Sequence, residues 1–327
     1  MNPLDEARRE LVERLGSRVR TDVPLAPMTT YRVGGPAALF VDVAELADLT
    51  AIADVRQRTG VPVVVVGRGS NMLVADAGFA GIAVSVARLA DEIEIDTAAA
   101  RVTAGGGVAL PVLARRTAAA GLTGFEWAVG VPGSIGGAVR MNAGGHGSDM
   151  AASLIDVDVV DLADRGQPAT LPAEALGLRF RASSLAPAHV VIRARLQLAP
   201  GDRERSEAEL NEIVRWRREH QPGGQNCGSV FVNPVPGVVT AGGLIDSLGL
   251  RGTHYGTAMV SDKHANFIQA ADGGTAADVR RAIDAVRARV AEATGYVLRS
   301  EVRLVGFDDT DPLSFDDDAL PAGEAHP

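Results

Sequence analysis

The chain has one cysteine and one lysine in 327 residues. The lone Cys227 excludes an intrachain disulfide and fits a reducing compartment, so a cytoplasmic protein is expected. One cysteine and six scattered histidines give no zinc-ligand spacing, and no metal site is expected. Apolar residues make up 46% of the chain, yet no apolar run approaches membrane-spanning length, so no membrane insertion is expected. Residues 1–20 read as a polar amphipathic helix, with Leu4, Ala7, Leu11 and Leu15 on one face, rather than as a signal peptide. No basic stripe supports nucleic-acid binding. The net charge of −9 is mostly local: Asp308 to Pro327 holds seven of the 41 acidic residues, leaving 34 acids against 32 basic residues elsewhere. That acidic tail, residues 307–327, reads as a disordered end. With arginine at nearly every basic position, the surviving Lys263 is retained either for its compact, mobile charge or by chance.

Familiar nucleotide signatures are also missing. There is no G-x-x-x-x-G-K-[ST], no kinase set, and no G-x-G-x-x-G joining strand to helix with an acid about twenty residues on. Glycine is abundant instead, at 37 residues. Its density peaks in G-V-P-G-S-I-G-G-A-V-R-M-N-A-G-G-H-G, Gly130 to Gly147, where seven of eighteen residues are glycine. Glycine reaches positive φ without steric cost and lets backbone approach a ligand closely. Such a run either closes tight turns between strands or wraps backbone N–H groups around an anion, of which pyrophosphate is a common example.

Three glycine clusters punctuate the first half. Ala37 to Val43 reads as a strand, Ala44 to Thr59 as a helix ended by Gly60, and Val61 to Val66 as a buried β-branched strand. The first cluster, Gly67 to Asn71, separates that strand from Met72-Leu73-Val74. The second, Gly105 to Gly107, opens a helix over Ala109 to Ala120. The Gly130 run is the third, and strands follow over Asp156 to Leu162 and Val190 to Leu198. Val23 to Thr30, with two prolines, reads as a linker after the first helix. Pro200-Gly201-Asp202 marks a boundary. The expected organisation is therefore an N-terminal helix over 1–22, a first domain over 23–200 with two subdomains, a second over 201–306, and the tail. In the second unit, Ser206 and Glu209 have capping-box spacing for a helix through about Glu219. Thr275 and Asp278 start a helix over Ala276 to Thr294, ended by Gly295, and Tyr296 to Val305 reads as a strand. Glycine nests on strands, without a P-loop or Rossmann pattern, suit an extended dinucleotide such as FAD held mostly by backbone.

These residues carry a resemblance. V-V-G-R-G-S-N-M-L-V (65–74) and G-V-P-G-S-I-G-G-A-V-R-M-N-A-G-G (130–145) resemble the FAD-binding domain of the UDP-N-acetylenolpyruvoylglucosamine reductase family. The likeness continues through T-T-Y-R-V-G-G-P-A (29–37), F-R-A-S-S-L (180–185), C-G-S-V-F-V-N-P (227–234), A-G-G-L-I-D-S-L-G-L-R-G (241–252), V-S-D-K-H-A-N-F-I (260–268) and S-E-V-R-L-V-G (300–306). It covers nearly everything but the tail and looks like the shorter form lacking an extra substrate-covering loop. The resemblance implies an α+β protein: a vanillyl-alcohol-oxidase-like (PCMH-type) FAD-binding domain plus a smaller α+β substrate-binding domain. It implies noncovalent FAD, NADPH as hydride donor, and UDP-N-acetylglucosamine enolpyruvate as the substrate, reduced to UDP-N-acetylmuramate in peptidoglycan precursor synthesis. A monomer is expected.

Carried over position by position, the resemblance implies catalytic roles for Arg181, Ser229 and Glu301. Arg181 matches the enolate stabiliser, because a guanidinium fork fits a carboxylate and stays charged. Ser229 matches the proton donor, and Glu301 the catalytic glutamate beside Arg181. Gly67, Arg68, Gly69, Ser70, Asn71, Gly130, Pro132, Gly133, Ser134, Gly136, Gly137 and Asn142 are the implied cofactor-binding positions. Asn233, Lys263, His264 and Asn266 are implied on the substrate or nicotinamide side. The family's usual lysine is Val232 here, so Arg217 or Arg218 is the expected substitute phosphate contact. Three further departures are Arg68 between two glycines, Phe180 where tyrosine is usual, and Ser300 in place of proline. Cys227 has no assigned base or third partner and reads as packing. Two other readings keep the nucleotide site: an alcohol or hydroxy-acid oxidase of the same fold, and a non-catalytic nucleotide-binding protein. Neither explains Arg181, Ser229 and Glu301 together.

Overall fold

The computed structural model describes residues 2–307; the acidic tail lies outside the described residues. The N-terminal helix, Pro3–Leu15, starts on Asn2, whose side chain accepts the Leu4 N–H. Ala7, Leu11 and Leu15 are spaced four apart, so they share one face and are buried. They pack with Leu49, Ile52 and Ala53 of the helix Leu46–Thr59, which stops on Gly60 at φ 68°.

These helices cover one face of a four-stranded sheet ordered Val19–Pro24, Pro36–Asp42, Phe79–Ser85, Val63–Val65. Phe79–Ser85 runs parallel to both neighbours, and Val19–Pro24 pairs antiparallel at the edge. The run read as a linker from Val23 therefore begins inside this edge strand. Strand side chains alternate between faces. Leu39, Val41, Ile82 and Val84 face the helices, while Phe40, Val64 and Ala83 join Leu25, Val74 and Val305 beneath. Burying each such side chain stabilises the fold by about 1.5–3 kcal/mol.

A second sheet is antiparallel, ordered Pro168–Pro172, Leu154–Asp161, His189–Gln197, Arg101–Gly105, Ile93–Asp96. The helices Leu110–Ala119 and Ile135–Arg140 contribute to its core through Leu113, Ile135 and Val139. The helix Arg203–His220 joins the same core with Leu210 and Ile213. The sequence groups this helix with the second unit, but its buried apolar side chains belong to the core of the antiparallel sheet. Its N-cap is Asp202, whose carboxylate accepts the Arg205 N–H at 2.8 Å, not Ser206. Ser206 lies inside the helix, where its hydroxyl donates to Glu126 at 2.6 Å and ties the helix to the sheet body.

The C-terminal unit packs the helices Ala241–Ser247 and Ala276–Thr294 on a small sheet of His254–Tyr255, Ala258–Val260 and Ile268–Ala270. Thr275 caps the long helix as expected, accepting the Asp278 N–H, and Gly295 ends it at φ 77°. Asp76, from the first unit, accepts the Ala276 and Ala277 N–H groups at 2.8 and 2.9 Å. Tyr31 and Leu73 are also buried in this unit's core. Of the strand expected over Tyr296 to Val305, only Arg303–Val305 forms, parallel to Met72–Val74. The preceding residues are held otherwise: the Leu298 carbonyl accepts from Arg287, and Ser300 bridges to Phe231. Among the described residues no helix is long and apolar enough to cross a membrane.

Candidate active site

Two glycine turns meet at the open side of the first unit. The Val66 N–H still bonds within the sheet, to Val84 O at 2.8 Å, and then the chain leaves it. From Gly67 to Asn71 no N–H bonds to a backbone carbonyl among the described residues. The same holds for Gly133, Ser134 and Gly137 on the facing turn. A Cβ on Gly67 would stand 2.7 Å from Ser134 Oγ, and one on Gly133 would stand 3.4 Å from Ser70 Oγ. Gly69 has φ 57°, and a Cβ there would lie 2.2 Å from Met28 O. Gly67, Arg68, Pro132 and Gly137 are exposed. Bare N–H donors on two converging turns, open to solvent, make a concavity that fits an anionic group such as pyrophosphate.

The second cluster, Gly105 to Gly107, supports this cradle instead of joining it. Ile135 N–H donates to Val108 O at 2.9 Å, and Gly136 N–H to Gly106 O at 2.8 Å. The Gly136–Gly137 pair therefore sits in a short helix, not in a turn. Gly130 leaves room for an arginine stem: a Cβ there would be 2.8 Å from Arg217 Cδ. Asn142, at φ 37°, is buried, its amide N–H groups donate to Asp149 and Arg179 O, and its Oδ1 accepts the Ala151 N–H. It fastens the loop beyond the glycine helix.

Arg181 and Glu301 come together. Arg181 Nε lies 3.3 Å from Glu301 Oε2, and Nη2 donates to Gly144 O at 2.8 Å. The guanidinium stands over the exposed Phe180 ring, 4.9 Å from its centroid, a cation–π contact. Nη1 has no partner among the described residues. Arg181 achieves this with φ 55°, a left-handed backbone. Burial pushes the Glu301 carboxyl above its ordinary range, with Arg181 pulling the other way. Asn71 donates its amide to the Glu301 carbonyl at 2.8 Å and so joins the first glycine turn to this residue. Ser229, half-buried, follows Gly228 at φ 86° and precedes Val230, whose carbonyl accepts the Glu301 N–H at 2.8 Å. Three distant segments thus converge beside the cradle.

The remaining expected residues divide. Arg217 is half-buried with no ion pair among the described residues, and desolvation lowers its pKa; a guanidinium in that state suits an anionic ligand. Lys263 Nζ donates to Arg218 O at 2.5 Å, tying its loop to the end of the helix Arg203–His220. His264 is half-buried, its pKa lowered by burial and then by Arg251, and its Nδ1 accepts the Asn266 N–H. Asn233 accepts the Ala241 N–H at 3.0 Å. Asn266 is buried with its amide bonded twice to Phe231. Cys227 is buried, and burial pushes its thiol up to about 12; a thiol so protonated is packing, not a nucleophile. Sequence reasoning missed His146 and Trp216, which line a separate 490 Å³ cavity with Arg205, Glu209, Glu212 and Ile213. His146, at φ 51°, sets its edge on Trp216 at the tip of the hairpin that holds Arg181. The only trace of this in the sequence is the glycine on either side of it.

Comparison with known proteins agrees with the geometry. Residues 220–305 match the family model described as UDP-N-acetylenolpyruvoylglucosamine reductase, C-terminal domain, and residues 37–167 match an FAD binding domain. A UDP-N-acetylenolpyruvoylglucosamine reductase from Heliobacterium modesticaldum is 45% identical over 285 residues, covering 86% of this chain and 89% of that one. One from Synechococcus sp. (strain WH7803) is 42% identical over 298 residues, covering 88% and 94%. The crystal structure of the Thermus caldophilus reductase superposes with a TM-score of 0.74 at 35% identity, covering 88% of this chain and 99% of that one.

Proposed function

The chain belongs to the UDP-N-acetylenolpyruvoylglucosamine reductase family, and on that premise we propose how its residues divide the reaction. The fold is the expected α+β arrangement, a vanillyl-alcohol-oxidase-like FAD-binding domain with a substrate-binding C-terminal domain. The protein is a flavin-dependent oxidoreductase that uses NADPH to reduce the enolpyruvyl group of a UDP-sugar in peptidoglycan precursor synthesis. The chemistry that FAD supplies when bound is hydride transfer, from NADPH to the terminal enolpyruvyl carbon.

In our reading, the turn Gly67 to Asn71 and the facing residues Gly133, Ser134 and Gly137 would hold the pyrophosphate through their unpaired N–H groups. Arg217 is a second anion contact from the side. Arg181 takes the substrate carboxylate with Nη1, its other nitrogens being held by Gly144 and Glu301. Charge that builds on that carboxylate as the double bond is reduced meets a fixed guanidinium. Glu301, with its proton affinity raised by burial, steadies the same charge. Ser229 gives the proton to the carbon next to the carboxylate, which completes addition across the double bond. The observation that carries this reading is the Arg181–Glu301 pair, bonded through Asn71 to a turn of free N–H groups.

The test uses the visible spectrum. Purified protein should show oxidised flavin that NADPH bleaches and the enolpyruvyl sugar nucleotide restores. In Ser229→Ala, bleaching should be normal and restoration slower by about 10²–10⁴-fold, the usual loss for a general acid. Equal slowing of both halves would assign Ser229 to structure instead.

A further inference from the structure

Asn266 stands in the V-S-D-K-H-A-N-F loop, where a substrate-lining residue was expected, but its side chain faces the protein. It is 5% exposed. Its Oδ1 accepts the Phe231 N–H at 3.0 Å, its Nδ2 donates to the Phe231 carbonyl at 2.8 Å, and its own carbonyl accepts the Val230 N–H at 2.8 Å. One residue thus fills the pairing positions that a neighbouring strand would fill. On the opposite side, the same segment pairs with the stretch that carries Glu301: Glu301 N–H donates to Val230 O at 2.8 Å and Val232 N–H to Arg299 O at 2.9 Å. Ser229 is the residue immediately before this doubly held pair. Behind it lies Gly228, at φ 86° with no atom within 4 Å of where a Cβ would stand; its N–H donates to Asn226 Oδ1 at 3.0 Å, a bond within the approaching loop that does not tie it to the Glu301 segment.

We propose that Asn266 is a positioning residue, whose side-chain amide holds the segment bearing Ser229 in register with the segment bearing Glu301. The inference rests on the assignment of Ser229 as proton donor. A displacement of about 1 Å at a reacting group costs on the order of 10²-fold, so the effect is large enough to read.

The test is Asn266→Asp in the flavin-loaded enzyme, compared with wild type at each pH. An aspartate in this buried place keeps an acceptor for the Phe231 N–H. It regains a donor for the Phe231 carbonyl only when protonated, and burial favours that form. Bleaching by NADPH should stay within about threefold of wild type. Reoxidation by the enolpyruvyl sugar nucleotide should be slowed about 10²-fold at alkaline pH and recover towards wild type as the pH falls. Asn266→Ala should be slow without recovery. If the aspartate variant holds flavin only at acid pH, that is the same rescue and supports the proposal. Reoxidation at the wild-type rate, slowing without acid recovery, or flavin lost at every pH would each overturn it. If Ser229→Ala and Asn266→Asp both reoxidise normally, the donor assignment falls and the proposal with it; if only Asn266→Asp does, the positioning role alone falls.

Discussion

Arg181→Gly should give a more stable protein than Arg181→Ala, against the usual order. Both substitutions remove the same contacts, to Gly144 O, Glu301 and the Phe180 ring. They differ only in the backbone, which sits at φ 55°. There a Cβ crowds the following carbonyl and costs roughly 1–2 kcal/mol, which glycine avoids. Against this, the unfolded glycine chain gains conformational freedom of about 0.4–1 kcal/mol. The net is about 0.5–1 kcal/mol in favour of glycine. With an m value near 3 kcal/mol/M, the urea midpoint should lie about 0.2–0.3 M higher for the glycine variant. In stopped flow, both variants should bleach with NADPH and both should fail to reoxidise at the wild-type rate, slowed about 10–10²-fold, because the charged hydrogen bond we propose from Arg181 to the substrate is gone. An alanine variant as stable as the glycine one would show that residue 181 is unstrained in solution. Reoxidation at the wild-type rate in either would show that the guanidinium is dispensable. The strain thus reports what the site needs: a left-handed backbone that aims one guanidinium at Gly144 and Glu301 together.

Two other outcomes follow from geometry at the cradle and the carboxylate. Gly69→Ala should lose stability and flavin together, since its Cβ would meet backbone at 2.2 and 2.7 Å, whereas Gly133→Ala meets nothing closer than 3.4 Å. The Gly133 variant should therefore fold normally yet weaken FAD binding about tenfold, or about 1.4 kcal/mol; a wild-type Kd by fluorescence titration would move the cofactor off this turn. Burial raises the folded Glu301 pKa above its unfolded value, so its contribution to stability is complete below the unfolded pKa and is lost as pH rises through the folded one. Urea midpoints for wild type should accordingly fall relative to Glu301→Gln as pH rises above the ordinary carboxylate range of about 4, and a constant difference would be inconsistent with the raised pKa.

What the sequence made legible was local. Thr275 and Gly295 bound their helix as read, because a cap and a left-handed stop act within one turn of backbone. Of the Val61 to Val66 run, Val63–Val65 forms the strand, and the Gly67 turn follows it as read. Errors arose where two local signals competed or where the partner is remote. Asp202 and Ser206 both carry a capping oxygen, and only Glu126, 80 residues away, explains why Ser206 is inside the helix. Asn142 and Asn266 entered as ligand positions through the resemblance, and their amides bond to folded loops that no local signal reveals. Arg181 and Glu301 entered the site through the resemblance; no spacing rule joins residues so far apart.

The bond from Asn71 to Glu301 spans 230 residues, and among the described residues the strand Met72–Val74 finds its parallel partner in Arg303–Val305 alone. Contacts between such distant parts of a chain form late, because a long loop must close before any of them is rewarded. A nascent chain ending near residue 300 would have both glycine turns and no partner for the strand beside them. Flavin capture should therefore lag behind synthesis, and truncated products should accumulate colourless. The cofactor loop is, in effect, proofread by a strand made some two hundred residues later, so yellow colour reports a chain that has been threaded through to its last paired strand.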